Sequence, residues 1–221
     1  MTSNMIYIKK NPPPTEFIGY VKTKGEDSEY RPTFDTMPKE VKDGLRLSLL
    51  NEQGFLCAYC MKPLLNSNLV VKIEHYNPRD RDNELDYNNL LAVCNGGEGQ
   101  SYDSQTCDTH KGDTVLHIDP QNNQHMDMIF YRHDGKICIS DELLQNDLDN
   151  VLNLNLGRLV AARRSALQAM QKKLYNKMRK KRAPKGYLEN CLRLYENMHD
   201  NHLHGYCGIL IWYLRKKIRQ S

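Results

Sequence analysis

Cys57-Ala-Tyr-Cys60, Glu74-His75, Asn89, Cys94 and Cys107-Asp108-Thr109-His110-Lys111, in that order, are the residues on which the reading of this chain turns. Two cysteines with two residues between them have the spacing of a zinc knuckle, in which one tight turn brings both sulfurs to one face of a metal. A second pair must close the tetrahedron, and Cys94 and Cys107 are the candidates. The 12 residues between them, Asn95 to Thr106, are rich in Gly, Ser and Gln and read as an inserted loop. A disulfide or two buried free thiols are the alternatives, since Cys packs as a small apolar side chain. Met1 to Lys10 has no apolar run of about seven residues and no small-residue cleavage site, so no secretory signal is expected. A reducing cytoplasm favours metal over disulfide. Structural zinc on Cys57, Cys60, Cys94 and Cys107 is therefore the expectation, with the isolated Cys138, Cys191 and Cys207 buried.

Between the thiol pairs, Leu69-Val-Val-Lys-Ile-Glu-His75 is a β-branched run of strand character that delivers Glu74 and His75 at its end. Neighbouring side chains on a strand face opposite ways, so a break is needed before both can serve one site. The Asn77-Pro78 step supplies it. Phosphodiester hydrolysis needs a base for water, a cation for the developing charge and groups that hold both. His75 suits the base because imidazole titrates near neutrality. Glu74 suits magnesium or manganese, which prefer carboxylate oxygen. Asn89 could accept from the second imidazole nitrogen and fix the tautomer. Asp108 follows Cys107 directly, so a zinc-anchored turn would hold it near the same cation. Lys111, three residues on, would share that helix face and meet a phosphate. Taken singly, each has a plainer reading: a surface histidine, a solvated acid, or a helix cap at Asn89.

These residues resemble the HNH endonucleases of the ββα-metal class, whose pattern runs Cys-x-x-Cys, acid-His-x-x-Pro, Asn-Leu, Cys, and Cys-Asn/His-x-x-Lys. Here it reads Cys57-Ala-Tyr-Cys60, Glu74-His75-Tyr-Asn-Pro78, Asn89-Leu90, Cys94 and Cys107-Asp108-Thr-His-Lys111. Leu49 to Cys60, Ile73 to His75, Tyr87 to Leu91 and Cys107 to Gly112 further resemble the retron-associated HNH proteins. That group includes PtuB, the nuclease partner of the ATPase PtuA in Septu-type antiphage systems. The resemblance implies His75 as general base, Asn89 as its orienting residue, and Glu74 with Asp108 as ligands of one catalytic cation. His110 competes with Asp108 for the further ligand position. Relatives often have Asp before the His and Asn or His after the last Cys, so Glu74 is one methylene longer and Asp108 adds charge. It also implies an ATPase partner and retron RNA or DNA reached through the complex.

The chain has 221 residues and a net charge of +4, which conceals an asymmetry. From Gly157 to Ser221 there are 16 Lys or Arg against 3 Asp or Glu, of 31 and 27 in the whole, so the remainder holds 15 against 24. A basic block attracts a polyanion through counterion release. Arg158, Arg163, Arg164, Lys172, Lys173 and Lys177 recur along a helix whose apolar side includes Leu156, Leu159, Val160, Leu167, Met170 and Leu174, so the cations are expected to face outward and bind nucleic acid. Lys177 to Arg182 would end that helix before Pro184. No run approaches the roughly 18 apolar residues of a membrane span.

The expected architecture is α+β: a zinc-stabilised ββα-metal core with a basic α-helical C-terminal region. Residues 1–38, with Pro12-Pro-Pro14, read as an extended arm. Residues 39–140 form the core, starting with a helix through Leu45, Leu49 and Leu50 and ending in a hairpin around His133-Asp-Gly135. Residues 141–221 are helical, and Ile209 to Leu214 is apolar enough for core or a subunit interface. Three functions compete: a metal-dependent nuclease on DNA or on structured RNA such as tRNA, a non-catalytic nucleic-acid binder, and a scaffold for an ATPase. A binder has no need of Glu74, His75, Asn89 and Asp108 together, which favours the nuclease.

Overall fold

Three prolines set where helices begin in this protein. Pro14, Pro38 and Pro184 each occupy the N-cap with φ near −60° and extended ψ, starting α1 (Thr15–Val21), α2 (Lys39–Glu52) and α7 (Lys185–Glu196). Proline costs nothing there, because N–H groups at a helix start have no intrahelical acceptor. The structure is a computed structural model and describes residues 5–23, 31–65, 71–177 and 183–221. Leu69, Val70 and the Met178–Arg182 end expected for the basic helix lie outside the described residues.

Two small antiparallel sheets carry the functional region. β1 (Val71–His75) pairs with β2 (Leu90–Cys94), with Val71 opposite Cys94 and His75 opposite Leu90. The short helix α3 (Cys107–Lys111) follows and packs on β2. Every residue of β2 is buried, and its second edge is sealed by a side chain from the end of α2. Gln53 accepts from Ala92 N at 2.8 Å and donates to Ala92 O at 2.7 Å, so its amide takes the place of a third strand. Ala58 N, in the knuckle, also donates to Ala92 O at 3.1 Å. The expected hairpin is present but short, as β3 (Phe130–Tyr131) and β4 (Ile137–Cys138). Its turn requires Gly135, at φ +99°, because a Cβ would lie 2.3 Å from Val160 O.

The rest is helical: α4 (Asn123–Met128), α5 (Glu142–Asn146), a π-helical turn (Asp147–Val151), α6 (Gly157–Lys177) and α8 (Cys207–Arg219). Asp147 is buried, and its carboxylate accepts from His117 N at 2.5 Å and Ile118 N at 2.8 Å. The π turn leads to Leu152, whose carbonyl accepts from Cys107 N at 2.9 Å. It thus fastens the start of α3. Among the described residues no helix is long and apolar enough to cross a membrane.

Four expectations change. Residues 15–21 form a helix rather than an extended arm, and Met5, Ile8, Phe17 and Tyr20 join the apolar core. Phe17 and Tyr20 are three apart and so fall on one helical face. One apolar cluster runs from Met5 to Leu214, so the three expected parts share a core, with Ile209, Leu210 and Ile211 inside it. Cys138 and Cys191 are only half-buried.

Arg163 is the fourth correction. It was expected to face solvent, yet it is 1% exposed. Its Nε donates to Gly135 O at 2.7 Å and its Nη2 to Leu154 O at 2.7 Å, with Asn155 Oδ1 at 3.2 Å. It therefore ties α6 to the hairpin turn and to the segment behind the π turn. Arg163→Met, which keeps the stem and removes the donors, is expected to lower stability by about 2–3 kcal/mol in urea unfolding. Nucleic-acid binding by the folded variant should be unchanged.

Candidate metal centres and catalytic cleft

The four cysteines arrive from three elements. Cys57 and Cys60 flank a tight knuckle closed by Cys57 N to Lys62 O and Met61 N to Cys57 O, both 3.0 Å. Cys94 ends β2, and Cys107 starts α3. Their sulfurs lie 3.9 Å apart for Cys57 and Cys107, 3.8 Å for Cys60 and Cys94, and 3.7 Å for Cys94 and Cys107. All four lie within 4.8 Å of one another. A disulfide needs about 2.05 Å. Tetrahedral zinc with Zn–S of about 2.3 Å places its sulfurs about 3.8 Å apart. The donor set, buried and wholly thiol, therefore fits structural zinc. The neighbouring thiols of Cys107, Cys57 and Cys60 outweigh burial and hold the Cys94 thiol well below its ordinary pKa.

The 12-residue insertion does not separate its cysteines because its neck is closed. Thr106 N donates to Gly96 O at 2.8 Å, and Arg158 of α6 reaches Gly96 O at 3.2 Å and Thr106 Oγ1 at 3.1 Å. Gly96, at φ +59°, has no room for a Cβ, which would lie 2.2 Å from Thr106 O. Cys107 itself adopts φ +58°. That left-handed backbone costs an L-residue about 1–2 kcal/mol, and the ligand position and the bond to Leu152 O hold it.

Beside the thiol cluster lies a cleft of about 280 Å³ lined by Phe34, Glu74, His75, Arg79, Asp108 and Lys111, among others. Glu74 is buried; Tyr59 OH donates to its Oε1 at 3.2 Å and Lys111 Nζ lies 2.8 Å away. Asp108 Oδ2 meets Lys72 Nζ at 2.7 Å. Burial, then the neighbouring Asp108 carboxyl, pushes Glu74 up to about 8. Burial also opposes ionisation of Asp108, but Glu74 and Lys72 outweigh it and hold that carboxyl below its usual range. Carboxylate oxygens are the donor type that magnesium and manganese prefer.

His75 lies at the end of β1, with Phe34 edge-on at 4.7 Å. Its Nε2 is 3.0 Å from Glu84 O. A carbonyl only accepts, so Nε2 carries the hydrogen and Nδ1 is the basic nitrogen. Burial holds the imidazole below its ordinary pKa, which keeps it neutral near pH 7.

Asn89 does not bond the imidazole; the Glu84 carbonyl takes that place. The Asn89 amide instead closes the loop after β1, accepting from Asn77 N at 2.7 Å and donating to Asn77 O at 3.2 Å, while Tyr76 N donates to Asn89 O. Lys111 is 3% exposed and bonded to Glu74, to His75 O and to Gly112 O, so it braces the acid pair rather than meeting a phosphate. His110 stacks on Tyr102 at 4.1 Å and bonds Val151 O through Nδ1, away from the carboxyls. Arg164, Lys172 and Lys173 are exposed on α6, as expected. Sequence reading missed Lys72, Tyr59, Phe34 and Glu84. Only Lys72 carried a signal, lying two residues before Glu74 and so on the same strand face.

No protein-family model matches the chain. A candidate HNH endonuclease of retron Vc95 from Vibrio cholerae serotype O1 biovar El Tor is 33% identical over 125 residues, 52% of this chain and 57% of that protein. A candidate HNH endonuclease of retron Ec83 from Escherichia coli is 34% identical over 79 residues, 30% of this chain and 31% of that protein. The chain thus spans little more than half of the first relative and less than a third of the second.

Proposed function

We propose that the chain belongs with the HNH endonucleases, as its two relatives support, and that it hydrolyses phosphodiester bonds in nucleic acid with a divalent cation. DNA is the first substrate class and structured RNA such as tRNA the second. The observation that carries this reading is the tautomer of His75: its Nε2–H is committed to Glu84 O, and its Nδ1 is basic, in a cleft shared with Glu74 and Asp108. His75 takes a proton from water as general base. Asn89 positions it by closing the loop between Tyr76 and Asn88. Glu74 and Asp108 would hold the cation. When bound there, a divalent cation supplies Lewis-acid stabilisation of charge on the phosphate oxygens. Tyr59, Lys72 and Lys111 fix the two carboxyls, and Arg79, paired with Asp35 at 2.7 Å, lines the same cleft.

The exposed Arg164, Lys172 and Lys173 supply a phosphate-binding face on α6. The retron names of both relatives support a place in a retron-associated system, and the motif resemblance extends that reading to the effector of an antiphage retron or Septu-type complex. An ATPase partner resembling PtuA, and retron RNA or DNA presented through the complex, complete that reading. The test compares the wild type with Asp108→Ala on plasmid DNA and total tRNA, with and without magnesium or manganese. Lys72, the partner left behind, is partly solvated, so the variant should fold. Metal-dependent cutting of one substrate, reduced about 100-fold or more in the variant, is expected. Zinc-loaded wild type that binds nucleic acid and cuts neither substrate with either metal would instead identify a binding or scaffold subunit.

A further inference from the structure

A second groove, on α8, is used by neither the cleft nor the thiol cluster. It encloses about 470 Å³ and is lined by Phe130, Trp212, Arg215, Lys216, Arg219 and Gln220. Its aromatic members are braced from behind: Trp212 meets Tyr131 at 6.5 Å and His133 at 5.2 Å, both edge-on, and Phe130 is 38% exposed. Its cations differ in commitment. Arg215 is tied to Glu196 at 2.5 Å. Lys216 Nζ lies 5.3 Å over the Trp212 ring and 3.3 Å from His133 Nε2. Among the described residues neither Lys216 nor Arg219 has an acidic partner.

Cations in a helix's last turn complement its dipole, but that leaves the aromatic lining unexplained. Ring faces beside cations that no described acid neutralises, in one concavity, match an unpaired nucleic-acid strand, which presents bases for stacking and phosphates for charge. A duplex hides its base faces, and an acidic protein supplies charge without rings. We propose that this groove binds a single-stranded segment of nucleic acid, one base stacking on Trp212 or Phe130 and the flanking phosphates meeting Lys216 and Arg219. The choice of ligand class rests on the nuclease reading, but binding here requires no cutting.

Trp212 is the only tryptophan of the chain, so its emission reports on the groove alone. The full chain would be titrated, without magnesium or manganese, with an oligothymidylate of about 12 nucleotides, its duplex form and polyglutamate. Saturable quenching by the single strand, weaker for the duplex and absent for polyglutamate, is expected. Lys216→Ala combined with Arg219→Ala, and separately the exposed Phe130→Ala, should each weaken binding of a labelled strand at least about fivefold, the lower bound for losing a stacked base. No quenching by the single strand, or an equal response to the duplex, would overturn the stacking site. A response to polyglutamate would assign the groove to an acidic protein surface. Quenching with no cutting under the metal assay would sink the nuclease and leave the groove standing; cutting with no quenching would do the reverse.

Discussion

His75→Ala should abolish nucleic-acid cutting, by about 10²–10⁴-fold, while zinc content and unfolding midpoint stay close to those of the wild type. The separation between the two readouts follows from the position of the ring. His75 ends β1 and lines the cleft, where it packs edge-on against Phe34 and gives one hydrogen bond to Glu84 O. Removing it forfeits that bond, and the truncation leaves Glu84 O close to the open cleft. The thiol cluster lies at the other end of the strand pair, where Val71 faces Cys94, so it should not feel the change. Asn89 is a useful contrast. Its amide bonds backbone on both sides of Asn77, so Asn89→Ala would disturb both cutting and stability. Retained cutting by His75→Ala at unchanged zinc content would refute the assignment of the base.

Cys94→Ala should have the larger effect on the fold. Binding of a structural zinc by thiolates is worth about 10–16 kcal/mol in small zinc domains, against a total stability of about 5–15 kcal/mol for an ordinary domain. Here the four thiols join the knuckle, the last residue of β2 and the first residue of α3, and all four are counted in the apolar core. Losing one ligand releases the joint that sets α3 on β2, and with it the positions of Asp108 and Lys111. The expected result is loss of zinc, read with a chromogenic chelator, and loss of the cooperative thermal transition in circular dichroism. A zinc-free protein that still unfolded cooperatively at the wild-type midpoint would show that packing alone sets the fold.

The clustering of the four thiols and the meeting of Glu74 and His75 in one cleft were legible in the sequence because such chemistry restricts both residue type and spacing. The contacts that refine the site were not, because they use backbone atoms. Nothing in the identity of residue 84 announces that its carbonyl will hold Nε2 of His75. Arg163 shows a different failure. It lies four residues after Leu159 and four before Leu167, squarely on the apolar stripe of α6, so periodicity pointed inward while charge pointed outward. Burial prevailed because three carbonyl-type acceptors converge on the guanidinium. Lys111 likewise has the residue type of a phosphate ligand, but Glu74 beside it claims the ammonium. In the N-terminal segment, Pro14 followed by Phe17 and Tyr20 already held the start signal and the spacing of a helix.

The closed neck of the insertion has an evolutionary consequence. With Thr106 bonded to Gly96 and Arg158 spanning both, the distance between Cys94 and Cys107 is set at the base of the loop and not by its contour length. Entropy of closure rises only slowly with added residues, and Glu98, Gly99 and Gln100 at the tip are exposed. Descendants of this sequence are thus free to lengthen or shorten the tip, acquiring or shedding recognition surface there, without retuning the metal site beneath it.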